Sequence, residues 1–251
     1  MPVTFTKKPK ASKTTELPPL VHGHSPREET QLVTCLDPSN KTTRTPLGWI
    51  TDGSPSMTGF TDVQLKSAVS MVGELVQLPS TSRSVMMNIV QIGTPPMATG
   101  FSEIAKFRVP ELHVACTTPL HAALDQMTHD LGALFSDFRA RGIERTESVV
   151  IITTDGYANG TTAEQINESI RKFLDPGKKW KVTNLAVGVG GQLNEPLLKA
   201  LANSVPPLRI DELNAACLMP FIRKMVEQFS TSRPNQKHEF VLPVGMEPIE
   251  W

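Results

Sequence analysis

Short apolar runs alternate along the chain with longer stretches in which apolar residues recur every three or four positions. The runs Leu47-Gly48-Trp49-Ile50-Thr51, Val85–Ile92, Val149–Ile152 and Val182–Val189 show little polar alternation. That is the pattern of strands covered on both faces. Between them, Leu65, Ala68, Val69, Val72, Leu75 and Val76 share one helical face, as do Leu120, Ala123, Leu124, Met127, Leu131, Leu134, Phe135 and Phe138, whose helix should stop before Gly142. Thr161-x-x-Glu164 is a capping-box pattern opening a helix with Ile166, Ile170, Phe173 and Leu174. A short helix is expected over about Glu195–Asn203, and a last one carries Leu218, Phe221, Ile222, Met225, Val226 and Phe229. Weaker strand signals lie at Leu32–Leu36, before the turn residues Asp37-Pro38-Ser39-Asn40, at Ile104–Phe107, and at Leu208–Ile210 as an edge strand. Strands alternating with helices require crossover connections. The expected fold is therefore a single α/β domain, doubly wound, with a mostly parallel central sheet and helices on both faces.

The polar, Pro-containing residues 1–30, with Lys7, Lys8, Lys10 and Lys13, break this pattern and are expected to form a flexible arm. The domain then occupies 31–251, with its core at about 45–230 and a C-terminal extension. No internal repeat is visible.

Composition narrows the function classes. The 25 Lys+Arg balance the 25 Asp+Glu, which argues against a protein built to grip nucleic acid or an anionic membrane surface. No apolar run approaches the ~18 residues of a membrane span, and Met1–Leu20 has no apolar segment of the kind a Sec signal needs. Cys35, Cys116 and Cys217 stand far apart with no C-x-x-C, which excludes a zinc ribbon and suits a reducing compartment. A cytoplasmic protein is expected.

In an open parallel sheet, ligands sit beyond the carboxyl ends of the strands. Asp52-Gly53-Ser54-Pro55-Ser56 follows one strand, Asp155-Gly156 follows another, and Thr117-Thr118-Pro119 opens the long helix between them. These ends offer two carboxylates and up to four hydroxyls, with no His or Cys. Such a hard-oxygen set suits Mg²⁺, with Mn²⁺ or Ca²⁺ as alternatives, over zinc or copper. Alternate residues of an extended loop point the same way, so Asp52, Ser54 and Ser56 can converge. Pro119 suits the first turn of a helix, which puts Thr118 at its cap. Each fragment also has a local reading: an Asx-turn for Asp-x-Ser-x-Ser, a plain turn for Asp-Gly, a plain helix start for Thr-Pro. Their order, each at a strand end, favours the site.

Asp52-x-Ser54-x-Ser56, Thr118 and Asp155 resemble the metal-ion-dependent adhesion site of von Willebrand factor A (vWA) domains. Pro110-Glu111-Leu112-His113 leading into Thr118-Pro119-Leu120-His121, together with Thr154-Asp155-Gly156, Leu185–Gly191 and a tail ending in Trp251, is similar to the bacterial TerY-type, tellurium-resistance-associated branch. The resemblance covers about residues 45–251. It implies that Ser54 and Ser56 bind the ion directly, that Asp52 and Asp155 act through water, and that Thr118 does either. It also implies an open coordination position filled by an acidic side chain of a protein partner. For the TerY-type branch it implies a stress-response setting, with a protein kinase or PP2C-type phosphatase as partner. The implied function is a metal-dependent protein-interaction module, an adaptor or scaffold, and not an enzyme.

Three departures from the family pattern bear on this. Pro55 replaces the usual Gly between the serines, Cys116-Thr117 replaces Gly-Gly and makes Thr117 a rival ligand, and Tyr157, the only tyrosine, follows Asp155-Gly156. Two rival functions remain open: a metal-dependent hydrolase or phosphatase using Asp52 and Asp155, and a structural domain whose site is degenerate. Other motifs fail. Leu36–Lys41 lacks the second serine. Gly188-x-Gly190 has Leu193 where a third glycine belongs, and no G-K-[S/T], G-x-S-x-G or H-E-x-x-H occurs. His113, His121 and His129 are the remaining acid–base candidates, read as structural or surface residues.

Overall fold

The computed structural model describes residues 3–7, 40, 42–113, 117–175, 182–231 and 238–251. In chain order its elements are β1 Val3–Lys7, β2 Thr45–Asp52, α1 Thr58–Gln77, α2 Pro79–Ser82, β3 Val85–Ile92, β4 Met97–Ala98, β5 Ser102–Glu103, α3 Leu120–Arg141, β6 Ser148–Thr154, α4 Ala163–Leu174, β7 Val182–Val189, α5 Glu195–Leu201, β8 Leu208–Ile210, α6 Leu218–Thr231, β9 His238–Leu242 and β10 Met246–Pro248. One eight-stranded sheet runs in the order β10-β8-β7-β6-β2-β3-β4, with β5 also paired to β3. The pairs from β8 through β3 are parallel, and β10, β4 and β5 join antiparallel at the margins.

Every residue of β2, β3 and β6 is buried. The reason is the two-sided cover the apolar runs anticipate. Leu47, Trp49, Val149, Ile151, Leu185 and Val187 pack on one face beneath α1 and α6. Ile50, Met86, Val90, Val150, Ile152 and Ala186 pack on the other beneath α3, α4 and α5. Strand order reverses at β2: the chain continues to β3 on one side and later returns to β6 on the other. The crevice this leaves lies at the carboxyl ends of β2 and β6, the place where such sheets bind ligands. At the opposite end, Arg44 is fully buried and pairs with Glu103 at 2.7 Å, pinning the start of β2 to β5.

Several elements differ from expectation. The buried stripe of α1 runs through Phe60, Gln64, Ala68, Met71, Val72 and Leu75, while Val69 is exposed. Gln64 is tolerated there because its amide donates to the Ala215 carbonyl before α6. The α4 capping box is one residue later, Thr162 with Gln165. Ile104 and Phe107 are not in a strand; they turn inward after β5 and bury in the core. β8 is not an edge, since β10 pairs outside it. β10 thus brings the C-terminal extension into the main sheet. Within the segment read as an arm, β1 pairs in parallel with β9. The expected strand Leu32–Leu36 lies outside the described residues.

Candidate metal centre at the strand ends

Asp52 is the last residue of β2 and is fully buried. Its Oδ1 accepts the Ser54 N–H at 2.8 Å and its Oδ2 accepts the Thr154 hydroxyl at 2.8 Å. The first contact closes the Asx-turn that the Asp-x-Ser spacing allows. The second ties β2 to its neighbour β6. Pro55 begins a 3-10 turn, Pro55–Met57, closed by the Met57 N–H on the Ser54 carbonyl at 2.9 Å. Its missing N–H costs nothing at that position. The turn brings the Ser54 and Ser56 hydroxyls to 2.9 Å from each other, and Ser56 donates to Asp155 Oδ2 at 2.7 Å. Asp155 Oδ1 in turn accepts the Tyr157 N–H at 2.9 Å.

The loop after β2 has no room for a side chain at Gly53. A Cβ there would collide with the Gln91 amide and stand 2.8 Å from the His113 carbonyl. Gln91, at the end of β3, takes the His113 backbone on both sides, donating to its carbonyl and accepting its N–H at 3.1 Å. After β6, Gly156 has φ +84°, and a Cβ would come within 2.8 Å of Asn194. Only glycine meets both demands.

Thr118 lies one residue before the N-cap of α3, which is Pro119 and not Thr118 as expected. Its N–H donates to Asn159 Oδ1 at 2.7 Å, which brings it against the loop that follows Asp155. Its hydroxyl is buried and has no hydrogen-bond partner among the described residues. Thr117 differs: it is exposed, and its hydroxyl lies 3.0 Å from that of Thr94. Of the two rival threonines, Thr118 is the one with an unused, desolvated oxygen. Cys116 lies outside the described residues.

The structure therefore gathers Asp52, Ser54, Ser56 and Asp155 into one hydrogen-bonded cluster and sets Thr118 on the adjoining loop. Thr154, Asn159, Thr94 and Gln91 complete it; Thr154 stood in the Thr154-Asp155-Gly156 motif, and the other three were not singled out from the sequence. Of those three, only Gln91 carried a signal, as a polar residue inside an apolar strand. Around the cluster, Met57 and Phe60 are buried in the core, while Tyr157 is exposed. Of the candidate histidines, His113 meets Gln91 through its backbone, His121 pairs with Thr161 at 2.9 Å, and the exposed His129 lies 3.5 Å from Asp130.

Burial pushes the Asp52 carboxyl above its ordinary pKa, and the charge of Asp155 adds to the push. The Ser54 N–H and the Thr154 hydroxyl oppose it. A desolvated carboxylate, a second carboxylate beside it and an orphaned buried hydroxyl are together what a cation would relieve. No group of three or more His, Cys, Asp and Glu stands ready to bind a metal among the described residues. Hydroxyls would have to complete any coordination shell here.

No protein-family profile and no curated protein matches this sequence. Solved structures do. The pilus adhesin SpaC from Lactobacillus rhamnosus GG, in its open conformation, superposes with a TM-score of 0.56 at 11% identity over 75% of this chain. A von Willebrand factor type A protein from Catenulispora acidiphila does so with a TM-score of 0.51 at 14% identity, also over 75% of this chain. The fold is that of a von Willebrand factor A domain. The matched region spans 31% of SpaC and 43% of the Catenulispora protein, so the vWA likeness concerns the domain alone. No helix among the described residues is long and apolar enough to cross a membrane.

Proposed function

We propose that this vWA domain binds a divalent cation of the Mg²⁺ or Mn²⁺ class at the strand-end cluster, and through it a protein partner that presents an acidic side chain. The observation that carries the reading is the Thr118 hydroxyl, buried without a hydrogen-bond partner on a loop that Asn159 ties to the segment after Asp155, where Ser54, Ser56 and Asp155 are already in contact. Ser54, Ser56 and Thr118 hold the ion through their hydroxyls. Asp52 acts from one step behind, since both its oxygens already accept hydrogen bonds and it is wholly buried. Asp155 closes the site from β6. With few charged ligands in contact, the bound ion keeps charge enough to attract a carboxylate. Desolvation of Asp52 and the small number of carboxylates support a binding role over a hydrolytic one. A two-metal phosphoryl-transfer site needs more carboxylates touching the metals, or a positioned base. SpaC, which shares the fold, is a pilus adhesin. An adaptor role in a bacterial stress or phosphorylation system, with a protein kinase or PP2C-type phosphatase as partner, rests on the resemblance to the TerY-type branch.

The test has two arms. Mn²⁺ titration by calorimetry should show one site in the wild type, weakened strongly in Ser56→Ala and in Thr118→Ala. Pull-down from native lysate should yield a partner that EDTA releases. No binding of Mn²⁺ or Mg²⁺ by the wild type, or metal-dependent phosphate release that Asp52→Ala abolishes, overturns the reading.

A further inference from the structure

Among the described residues of the segment 108–119 there is no helix or strand, and Thr118 itself belongs to neither. Its contacts among the described residues, and those of Thr117, come from other loops and from the start of α3. Asn159 Oδ1, four residues beyond Asp155, accepts the Thr118 N–H at 2.7 Å. Because the partner is a backbone donor, the amide must face it with its oxygen. Thr94, beyond the end of β3, holds the Thr117 hydroxyl at 3.0 Å. The Thr118 carbonyl accepts the Leu120 N–H at 2.8 Å as α3 begins. Three loops are joined in this way: the one after β6 through Asn159, the one after β3 through Thr94, and the one before α3 that carries the threonines.

The two side chains act on adjacent residues with opposite results. Thr94 occupies the hydroxyl of Thr117 and keeps it at the surface. Asn159 occupies only the main chain of Thr118 and leaves its hydroxyl buried and free. We infer that Asn159, assisted by Thr94, is the positioning residue that selects Thr118 over Thr117 as the threonine donor of the cation site. This rests on the metal-site reading above. It goes beyond it by assigning the choice between neighbouring threonines to a residue that touches no ion. A coordination shell tolerates little misplacement of a neutral hydroxyl, so a single side-chain contact to the backbone can decide which oxygen arrives.

The experiment is an Mn²⁺ titration by calorimetry of the whole chain as wild type, Asn159→Ala, Asn159→Asp, Thr94→Val, Thr117→Ala and Thr118→Ala. Each is paired with hydrogen exchange at the Thr118 amide and a melting curve in EDTA. Asn159 is exposed, so its variants should melt in EDTA as the wild type does. Asn159→Ala should weaken Mn²⁺ about fivefold, the worth of one hydrogen bond of ~1 kcal/mol at ~1.4 kcal/mol per tenfold, and should speed exchange at Thr118. Asn159→Asp keeps the acceptor and should restore both the affinity and the protection. Thr94→Val should weaken binding less than Asn159→Ala, and Thr117→Ala should bind nearly as the wild type. If Asn159→Ala leaves affinity and exchange unchanged while Thr118→Ala abolishes binding, the positioning role is wrong and the site stands. If Asn159→Asp fails to restore protection at the Thr118 amide, the role is also wrong. If Thr118→Ala binds normally, the site reading fails with it.

Discussion

Replacing Thr118 by valine should have opposite effects in the absence and presence of metal. Valine keeps the β-branched shape, and it suits the extended backbone that a residue before proline adopts. It exchanges the hydroxyl for a methyl. In the metal-free domain that hydroxyl is buried and unpartnered, with Thr118 only 1% exposed. An unsatisfied buried polar group costs about 1–3 kcal/mol. Taking the low end, Thr118→Val should gain about 1 kcal/mol in EDTA, which for a domain of this size is about 2–4 °C in Tm. With Mg²⁺ at about 100 times its Kd, the wild type gains about 2.7 kcal/mol by mass action, or about 5–11 °C. The variant has lost one of three hydroxyl donors and gains much less. The order of melting temperatures should therefore invert between EDTA and saturating Mg²⁺. Differential scanning calorimetry of both proteins in both conditions measures it. If Thr118→Val melts below the wild type in EDTA, the hydroxyl is satisfied in the folded metal-free protein, and the argument from its burial collapses.

Three further outcomes follow from the same geometry. Asp52 titrates above its ordinary range when folded, so the stability it contributes is present below about pH 4 and lost as pH rises through the raised value. Melting curves of wild type and Asp52→Asn in EDTA across pH 4–8 should show the wild type losing ground as pH rises, and saturating Mg²⁺ should cancel or reverse that loss. Gly53→Ala should cost about 1–3 kcal/mol by overpacking against Gln91 and His113 and should weaken Mn²⁺ binding as well; urea unfolding and calorimetry test the two effects, and an unperturbed variant would show the loop to be loose. Glu103→Gln leaves the Arg44 charge buried without its carboxylate at the far end of the sheet, so urea unfolding should show a loss of about 3–5 kcal/mol, while Mn²⁺ affinity in the fraction still folded stays as in the wild type.

Much of this molecule is decided by local pattern. The central strands could be placed from sequence because burial on both faces leaves an uninterrupted apolar run, and β3 and β7 begin and end where those runs do. Asp52 and Asp155 each follow an apolar run, which places both at the carboxyl edge of a parallel sheet; that β2 and β6 are neighbours, with the strand order reversing at β2, was decided by the tertiary structure. The Asp-x-Ser-x-Ser spacing likewise carries its own turn. What the sequence left open depends on contacts between segments far apart in the chain. Helical periodicity put Val69 on the buried side of α1, but packing against α6 and the Ala215 carbonyl made Gln64 and Met71 the inward residues. The short edge strands β4, β5 and β10 have too few residues to show a period, and they exist only because β3 and β8 offer them a ladder. The choice between Thr117 and Thr118 is of the same kind. The two are chemically equivalent in the sequence, and only the loops after β3 and β6, folded against them, occupy one hydroxyl and leave the other buried and free.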